Sequence, residues 1–515
     1  MFSLVLISLL SFATLAQPTT YYVAKTGNDS DDGSSGYPWL TVQKAADTLT
    51  AGQTCYIKAG TYNEHITIAN SGSSGNFIVF ENYQTDAVKI SSFNIPSGKN
   101  YVKIKGFEIG DYGGGNPYNG IRSETNSSYC EIRDNTIHDV RQGIWMRGNY
   151  HLVNGNTFYS CGYPGGGNHI FLSGTDNIIE YNDFSDPYQK TTDFITYCNS
   201  NQIIRYNTFH TLVEFGPHND VLVTYGADNV LIEGNHFYDL GNVQCWFCEP
   251  QSPGLIHDIT YKNNIIEHRP GLTQTQSINI MGANNVTFEN NTFYDIPGGI
   301  AVRAWGGNPS TNTVIKNNIF YECSYWADGG SVVNADYNCI YPGSNSEAHG
   351  IAADPKFVDA ANHDFRLQAD SPCKGTGEGG VDMGAYGAAE YDPVYEDPIE
   401  PDPPSENPAE TDSPSDGVDR VLNRPNPFRA GKEESLIEYN LKQPSNVTIT
   451  IYNLLGQEVW QENYRSGENG GKEDNSIPWN GRNLSGEVVG NGGYICRIWI
   501  EREKRHIVRK IAVVK

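Results

Sequence analysis

The sequence predicts an all-β chain: a right-handed parallel β-helix, a solenoid, followed by an acidic Pro-rich linker and a small β-sandwich. Three observations predict it. First, a short phrase recurs in which an Asn is followed by one variable residue and then Ile or Phe. Its eight copies start at Asn135, Asn156, Asn182, Asn207, Asn235, Asn264, Asn291 and Asn318, at steps of 21, 26, 25, 28, 29, 27 and 27 residues. A period in the twenties marks a solenoid. Second, the residues before each Asn are β-branched or aromatic with partial alternation, as in Asn177-Ile-Ile-Glu-Tyr, Gln202-Ile-Ile-Arg-Tyr and Asn229-Val-Leu-Ile-Glu, which favours strands. Third, Gly, Asn and Asp punctuate the chain in place of long 3.6-period stretches, which excludes helical repeats, and no Leu ladder marks a leucine-rich repeat.

The first element, Met1 to Ala16, is apolar and ends in Thr14-Leu15-Ala16. It is expected to be a secretory signal peptide, although it lacks a positive first region. No later run reaches the length of a transmembrane span. The mature chain is therefore expected to be secreted or attached to the bacterial cell surface, and monomeric.

Residues 17–390 form the expected β-helix domain. Stacked coil on coil, the repeated Asn amides can hydrogen-bond along a ladder, and the Ile or Phe two residues later points inward. These Asn residues are assigned to structure, not chemistry. The solenoid opens with Tyr21-Tyr-Val, then Lys25-Thr-Gly-Asn-Asp-Ser-Asp-Asp-Gly33, Tyr37-Pro-Trp-Leu-Thr-Val-Gln-Lys-Ala-Ala46 and Ala51-Gly-Gln-Thr-Cys-Tyr-Ile-Lys-Ala-Gly-Thr-Tyr62. This segment resembles the opening of secreted β-helix proteins, including several polysaccharide lyase families. The resemblance implies a first strand, a short capping helix and a first full coil, closing the end of the hydrophobic column. Asp29, Asp31 and Asp32 are read as a polar turn in preference to a calcium loop, since the final Glu of an EF-hand is missing. At the far end, Asp364-Phe-Arg-Leu-Gln, Ser371-Pro-Cys and Val381-Asp-Met-Gly-Ala-Tyr386 resemble the terminal cap of secreted bacterial β-helix proteins.

Residues 391–417 carry nine acidic residues, seven Pro and no Lys or Arg, the composition of a disordered, self-repelling linker. Residues 418–515 carry 15 basic against 12 acidic residues, which leaves 20 against 39 in residues 1–390 out of a net charge of −25. An acidic body argues against nucleic acid as a ligand. An anionic polysaccharide stays compatible, because local Arg and Lys or bound Ca²⁺ can reverse the field inside a groove.

Residues 418–515 alternate over Val447–Tyr452 and Tyr494–Ile500, which predicts a small β-sandwich. Asn423-Arg-Pro-Asn-Pro-Phe428, Ile437-Glu-Tyr-Asn-Leu441, Val447-Thr-Ile-Thr-Ile-Tyr-Asn453, Trp479-Asn-Gly481, Gly493-Tyr494 and Lys510-Ile-Ala-Val-Val-Lys515 resemble the C-terminal sorting and immunoglobulin-like domains of type IX secretion cargo and the related flagellar hook-cap-like module. That resemblance implies export through a sorting machinery and anchoring at the surface.

The ten Cys are scattered, most of them in strand-like segments, which suits buried thiols. Cys245 and Cys248 form a C-x-x-C without a second pair at zinc spacing, leaving a local disulfide or two buried thiols.

Chemistry is expected where loop length varies on the fixed scaffold. Aligning the coils on the Asn places Ile144, Ile170, Ile195, Leu222 and Ile278 in one column. Two residues ahead stand Gln142, Asn168, Asp193, Asp220 and Gln276, with His169, Lys190 and His218 beside them and Arg147, Ser173 and Tyr225 downstream. Successive coils stack about 4.8 Å apart, so a column can act as one site. Two Asp residues at that spacing raise one pKa or share a cation. Turn-stabilising roles compete for each of these residues singly.

Two chemistries suit the column. In β-elimination on a uronic-acid polysaccharide, Asp193, Asp220 and Glu249 would bind Ca²⁺ and His218 or Lys190 would be the base. Arg147 would hold the substrate carboxylate, with Asn168, His169, Tyr225 and Gln276 lining the sugar. In glycoside hydrolysis, Asp193 and Asp220 become acid and base. The lyase is preferred, because basic residues interleave with the acids and because the opening segment resembles lyase families. A full lyase signature of metal ligands with catalytic Lys and Arg is absent. A third possibility is a non-enzymatic carbohydrate-binding or adhesion rod, in which these side chains would be dispersed.

Overall fold

The computed structural model describes residues 19–386 and 422–514, apart from short stretches at 113–117, 163–166, 186–191, 212–219, 241–243, 253, 269–277, 425–427, 442, 454–457, 484–485, 490–491 and 503–504. The expected signal peptide (1–16) and acidic linker (391–417) lie outside the described residues, as do Lys190, His218 and Gln276. The chain divides into two units, Met1–Glu406 and Asn407–Lys515.

The first unit is a parallel β-helix. The first strand of each coil joins a thirteen-stranded sheet running from Thr20–Val23 to Val333–Asp336. The second and third strands form two further parallel stacks. One holds the Asn-x-Ile/Phe strands, such as Thr157–Tyr159 and Asp183–Ser185; the other holds strands such as Gly167–Leu172 and Thr192–Tyr197. Among the described residues every strand pairing between coils is parallel, with register shifts between Tyr62 and His65 and between Phe237 and Leu240: Phe158 lies beside Phe184, Phe184 beside Phe209, and Phe209 beside Phe237.

The Asn ladder forms as expected and is longer than the eight copies read from the sequence. Each Nδ2 donates to Oδ1 of the next Asn at 2.9–3.0 Å, from Asn135 through Asn156, Asn182, Asn207, Asn235, Asn264, Asn291 and Asn318 to a ninth member, Asn338. Each Oδ1 also accepts the backbone N–H of the preceding Asn, as Asn207 does from Asn182 at 3.0 Å. Buried turns would otherwise leave these polar groups unpaired at a cost of about 1–3 kcal/mol each. Glu347 ends the ladder by accepting from both the Nδ2 and the backbone N–H of Asn338. Inside, the phrase's aromatic residues stack at 4.7–4.9 Å from Phe158 to Phe237.

The open N-terminal end of this column is closed by the helix Val42–Thr48. The side chain of its N-cap, Thr41, accepts from the Lys44 N–H, and Val42, Ala45 and Ala46 are buried. Trp39 stacks on Tyr21 at 4.8 Å. Asp29 accepts from the N–H groups of Leu40 and Thr41 and from the Thr41 hydroxyl, so it shapes the turn. At the far end a hairpin of Phe357–Asp359 and Asp364–Leu367, with the segment that follows it, returns over the Asn-x-Ile/Phe strands. There the N–H of Ala385 donates to Thr292 Oγ1, and that of Glu378 to Asn317 Oδ1. All ten Cys are free thiols, Cys245 and Cys248 included.

The second unit has a three-stranded sheet (Leu422–Arg424, Ser435–Asn440, Asp474–Trp479) and a five-stranded one built around Val447–Asn453 and Gly492–Ile500. Ile437, Ile449, Ile451, Ile477, Trp479 and Ile498 share its core. No helix among the described residues is long and apolar enough to cross a membrane.

Candidate active site

The third strands carry the polar column. Ile121, Ile144, Ile170, Ile195, Leu222, Trp246, Ile278 and Ile300 pair in succession. The expected column is therefore present, with one coil, that of Trp246, inserted between Leu222 and Ile278. Two residues ahead, Gln142 lies beside Asn119, Asn168 beside Asp193, and Asp220 beside Gln244.

Between these two columns the pairing skips one residue in each coil, such as His169 against Phe194 and Val221 against Cys245. Phe194 and Ile195 are both buried, as are His169 with Ile170, Val221 with Leu222 and Cys245 with Trp246. Strict alternation would send one of each pair outward; the break in the pairing lets both face in.

Asp193 and Asp220 come together across adjacent coils. The backbone N–H of Asp220 donates to Asp193 Oδ1 at 3.3 Å, and the Thr196 hydroxyl donates to Asp193 Oδ2 at 3.1 Å. The Asn168 amide donates to that same hydroxyl. Burial pushes the Asp193 carboxyl up to about 6, against the pull of the Asp220 N–H and Thr196. Asp220 is only 5 % exposed. Burial first, and then the neighbouring Asp193 charge, push it up to about 8, with the Gln244 N–H acting the other way. Asp220 Oδ1 and Gln244 Oε1 are buried without a hydrogen-bond partner among the described residues. Two carboxyls and an amide oxygen that need positive charge or protons suit a hard, oxygen-seeking cation.

The other expected site residues are placed differently. Tyr225 lies within electrostatic reach of the pair: burial, then Asp193, Asp220 and Glu249, push its hydroxyl up to about 12. It lines a shallow cavity of about 420 Å³ with Gln251, Asp228 and His257. Glu249 follows Cys248, the partner of Thr224, one coil on from Tyr225, and its charge reaches the Tyr225 hydroxyl together with those of Asp193 and Asp220. There Glu249 accepts the Trp305 indole N–H at 3.2 Å. Arg147 is not a free carboxylate clamp: it pairs with Glu124 at 2.9 Å and lies over the Trp145 ring. His169 does not line the groove. It is fully buried, stacks on Phe194 at 4.8 Å and has no hydrogen-bond partner for either ring nitrogen among the described residues; burial pushes it down to about 3.

Sequence reasoning missed Gln244 and Thr196. Gln244 precedes Cys245-Trp246, and the step from Asn235 to Asn264 is the longest of the eight-copy series; a count that tested Trp246 as a column member would have found it.

Residues 21–209 match the family described as Pel9A-like, right handed beta helix region, and residues 217–353 match the right handed beta helix region. The chain is a right-handed β-helix protein. It is 29% identical over 134 residues to the uncharacterized protein YwoF of Bacillus subtilis, covering 23% of this chain and 29% of that one. It is 34% identical over 77 residues to the pectate lyase PEL9 of Emericella nidulans, covering 15% of this chain and 19% of that one. The chain thus spans less than a third of either curated relative. The crystal structure of pectate lyase Pel9A aligns at 16% identity over 72% of this chain and 97% of that one, with a TM-score of 0.46. The right-handed β-helix expected from the Asn period is the fold found.

Proposed function

We propose that this β-helix protein is a secreted or surface-attached polysaccharide lyase that cleaves a uronic-acid polymer by β-elimination at the Asp193–Asp220 face. One observation carries the reading: the Asp193 carboxylate accepts the backbone N–H of Asp220 across adjacent coils, and the buried Asp220 Oδ1 has no hydrogen-bond partner among the described residues. Such a pair needs a cation or shared protons. Asp193, Asp220 and Gln244 are the residues that would hold a Ca²⁺, whose charge would neutralise a substrate carboxylate and acidify the adjacent C5 proton.

The chain's own residues supply the rest. Lys190 and His218, three and two residues ahead of Asp193 and Asp220 in the chain, are the candidate bases for the C5 proton. As that proton leaves, the C4–O bond breaks, a C4–C5 double bond forms and the departing oxygen takes up a proton. Tyr225, whose hydroxyl feels the charge of the pair, is the candidate to orient a sugar. The Pel9A-like match of residues 21–209 and the pectate lyase name of the Emericella relative support a uronate substrate. The apolar N-terminal segment and the C-terminal sandwich support export and anchoring through a sorting machinery.

A second reading, glycoside hydrolysis, is favoured by Asp220 alone: a carboxyl held up to about 8 keeps its proton at neutral pH and suits a general acid. Incubation with polygalacturonate, alginate and glycosaminoglycans, with and without Ca²⁺, separates the readings. A lyase gives ultraviolet-absorbing unsaturated ends; a hydrolase gives new reducing ends without them. Binding with neither product would leave a carbohydrate-binding rod.

A further inference from the structure

The Asn-x-Ile/Phe strands carry a second cluster, away from the acid pair. His236 and Glu267 project from the outer face of adjacent coils, and His363 reaches them from the returning C-terminal hairpin. Glu267 Oε1 lies 2.6 Å from His236 Nε2 and 2.8 Å from His363 Nδ1. The three potential ligand atoms all stand within 4.8 Å of one another. Bonds of about 2.0–2.1 Å to a tetrahedral ion put ligand atoms about 3.3 Å apart, so a small opening of this triangle would admit one.

The surroundings fix these side chains. Glu267 is 6 % exposed, buried between the two imidazoles. Tyr238 packs against both rings, 4.9 Å from His236 and 5.0 Å from His363. Its other neighbour, His210, stacks parallel to it and is held by Asp183 at 2.7 Å. His363 occupies a left-handed turn, at φ 64°, directly before the strand Asp364–Leu367. That strand seats Phe365 in the cluster of Ile265 and Ala385.

We propose that His236, Glu267 and His363 form a zinc-class metal site that fastens the C-terminal hairpin to the wall of the solenoid, with water completing the shell. Two imidazoles and one carboxylate are the donor set of borderline transition ions, whereas Ca²⁺ seeks six to eight oxygens. The contact joins residues 96 apart in sequence. A metal there closes a long loop that is otherwise held by hydrogen bonds and apolar packing.

The full-length chain, stripped with a chelator, is titrated with zinc chloride by calorimetry and followed by thermal melting, with Co²⁺ as a spectroscopic stand-in. One equivalent of zinc should bind and raise Tm, and Co²⁺ should give visible ligand-field bands. All three responses should be lost in His236→Ala and in His363→Asn. Asn tolerates the left-handed turn, so His363→Asn tests the ligand without breaking the hairpin; circular dichroism checks that each variant is folded. Any Ca²⁺ response of the acid pair should survive His363→Asn and vanish in Asp220→Asn, which keeps the two sites distinguishable. Failure of the folded wild type to take up zinc, or equal uptake and equal melting shifts in His363→Asn, overturns the proposal.

Discussion

Asp220 gives its backbone N–H to the carboxylate of Asp193, so these two acids are tied to each other across adjacent coils. Both carboxyls sit above the usual Asp range, Asp193 at about 6 and Asp220 at about 8. Folding therefore favours their protonated forms. The stability that protonation contributes is complete below the unfolded pKa of about 3.9 and is lost as pH rises through the folded values. Between pH 6 and 8 Asp220 alone should impose a slope approaching about 1.4 kcal/mol per pH unit. Denaturant titrations across pH should show this loss in the wild type and a flatter profile in Asp220→Asn. Added Ca²⁺ should recover stability at pH 8 in the wild type only.

Gln244 lies beside Asp220, and its buried amide oxygen has no partner among the described residues. Gln244→Leu should leave the melting temperature nearly unchanged and raise the Ca²⁺ concentration needed for half-maximal uronate cleavage about tenfold, equivalent to about 1.4 kcal/mol. An unchanged Ca²⁺ dependence would remove Gln244 from the site.

The ladder gives a stability prediction. The Asn207 amide donates to Ile179 O and Asn235 Oδ1, and its oxygen accepts from Asn182. Asn207→Ala should cost roughly 3 kcal/mol or more, since it strands several buried groups at about 1–3 kcal/mol each. Asn207→Asp should not rescue it, because a carboxylate cannot donate. Equilibrium unfolding in urea reads both.

His169→Phe should stabilise the protein. The imidazole is buried among Phe158, Phe184 and Phe194, with no partner for either nitrogen among the described residues. Its folded pKa is depressed to about 3, so the wild type loses stability as pH falls below the unfolded value of about 6.5. The gain from Phe should be larger at pH 5 than at pH 8, with cleavage activity unchanged.

Arg147 is held by Glu124 at a part-exposed position. Arg147→Gln should shift stability by less than about 1 kcal/mol and leave KM for a uronate polymer within about twofold. A large rise in KM would return Arg147 to the substrate.

The repeat was legible because a parallel stack repeats one environment per coil: the Asn that satisfies one turn satisfies all, and its period survives in the sequence. The ninth member, Asn338, carries the same phrase in Asn338-Cys-Ile, at a step of 20 residues from Asn318, one short of the 21 that opens the series. The polar column was legible for the same reason as the ladder, since Asn168, Asp193 and Asp220 follow the register of Ile170, Ile195 and Leu222. Which way each side chain points was not. His169 and Asn168 are neighbours on one strand, and alternation turns the ring into the core and leaves the amide part-exposed. Glu249 was legible as a member of the next coil; its indole partner Trp305, 56 residues on, was not. The His236–Glu267–His363 cluster was invisible to any count of repeats, since His363 arrives from outside the repeating part.

The Asn ladder also bears on how such a chain can change length. Each rung presents the same donor below and the same acceptor above, so removing one whole period rejoins two matching surfaces. A deletion of half a period would set an amide against an apolar side chain. Growth and loss in this protein are therefore quantised in coils, and the site on Asp193 and Asp220 survives any such event that leaves its own two coils adjacent.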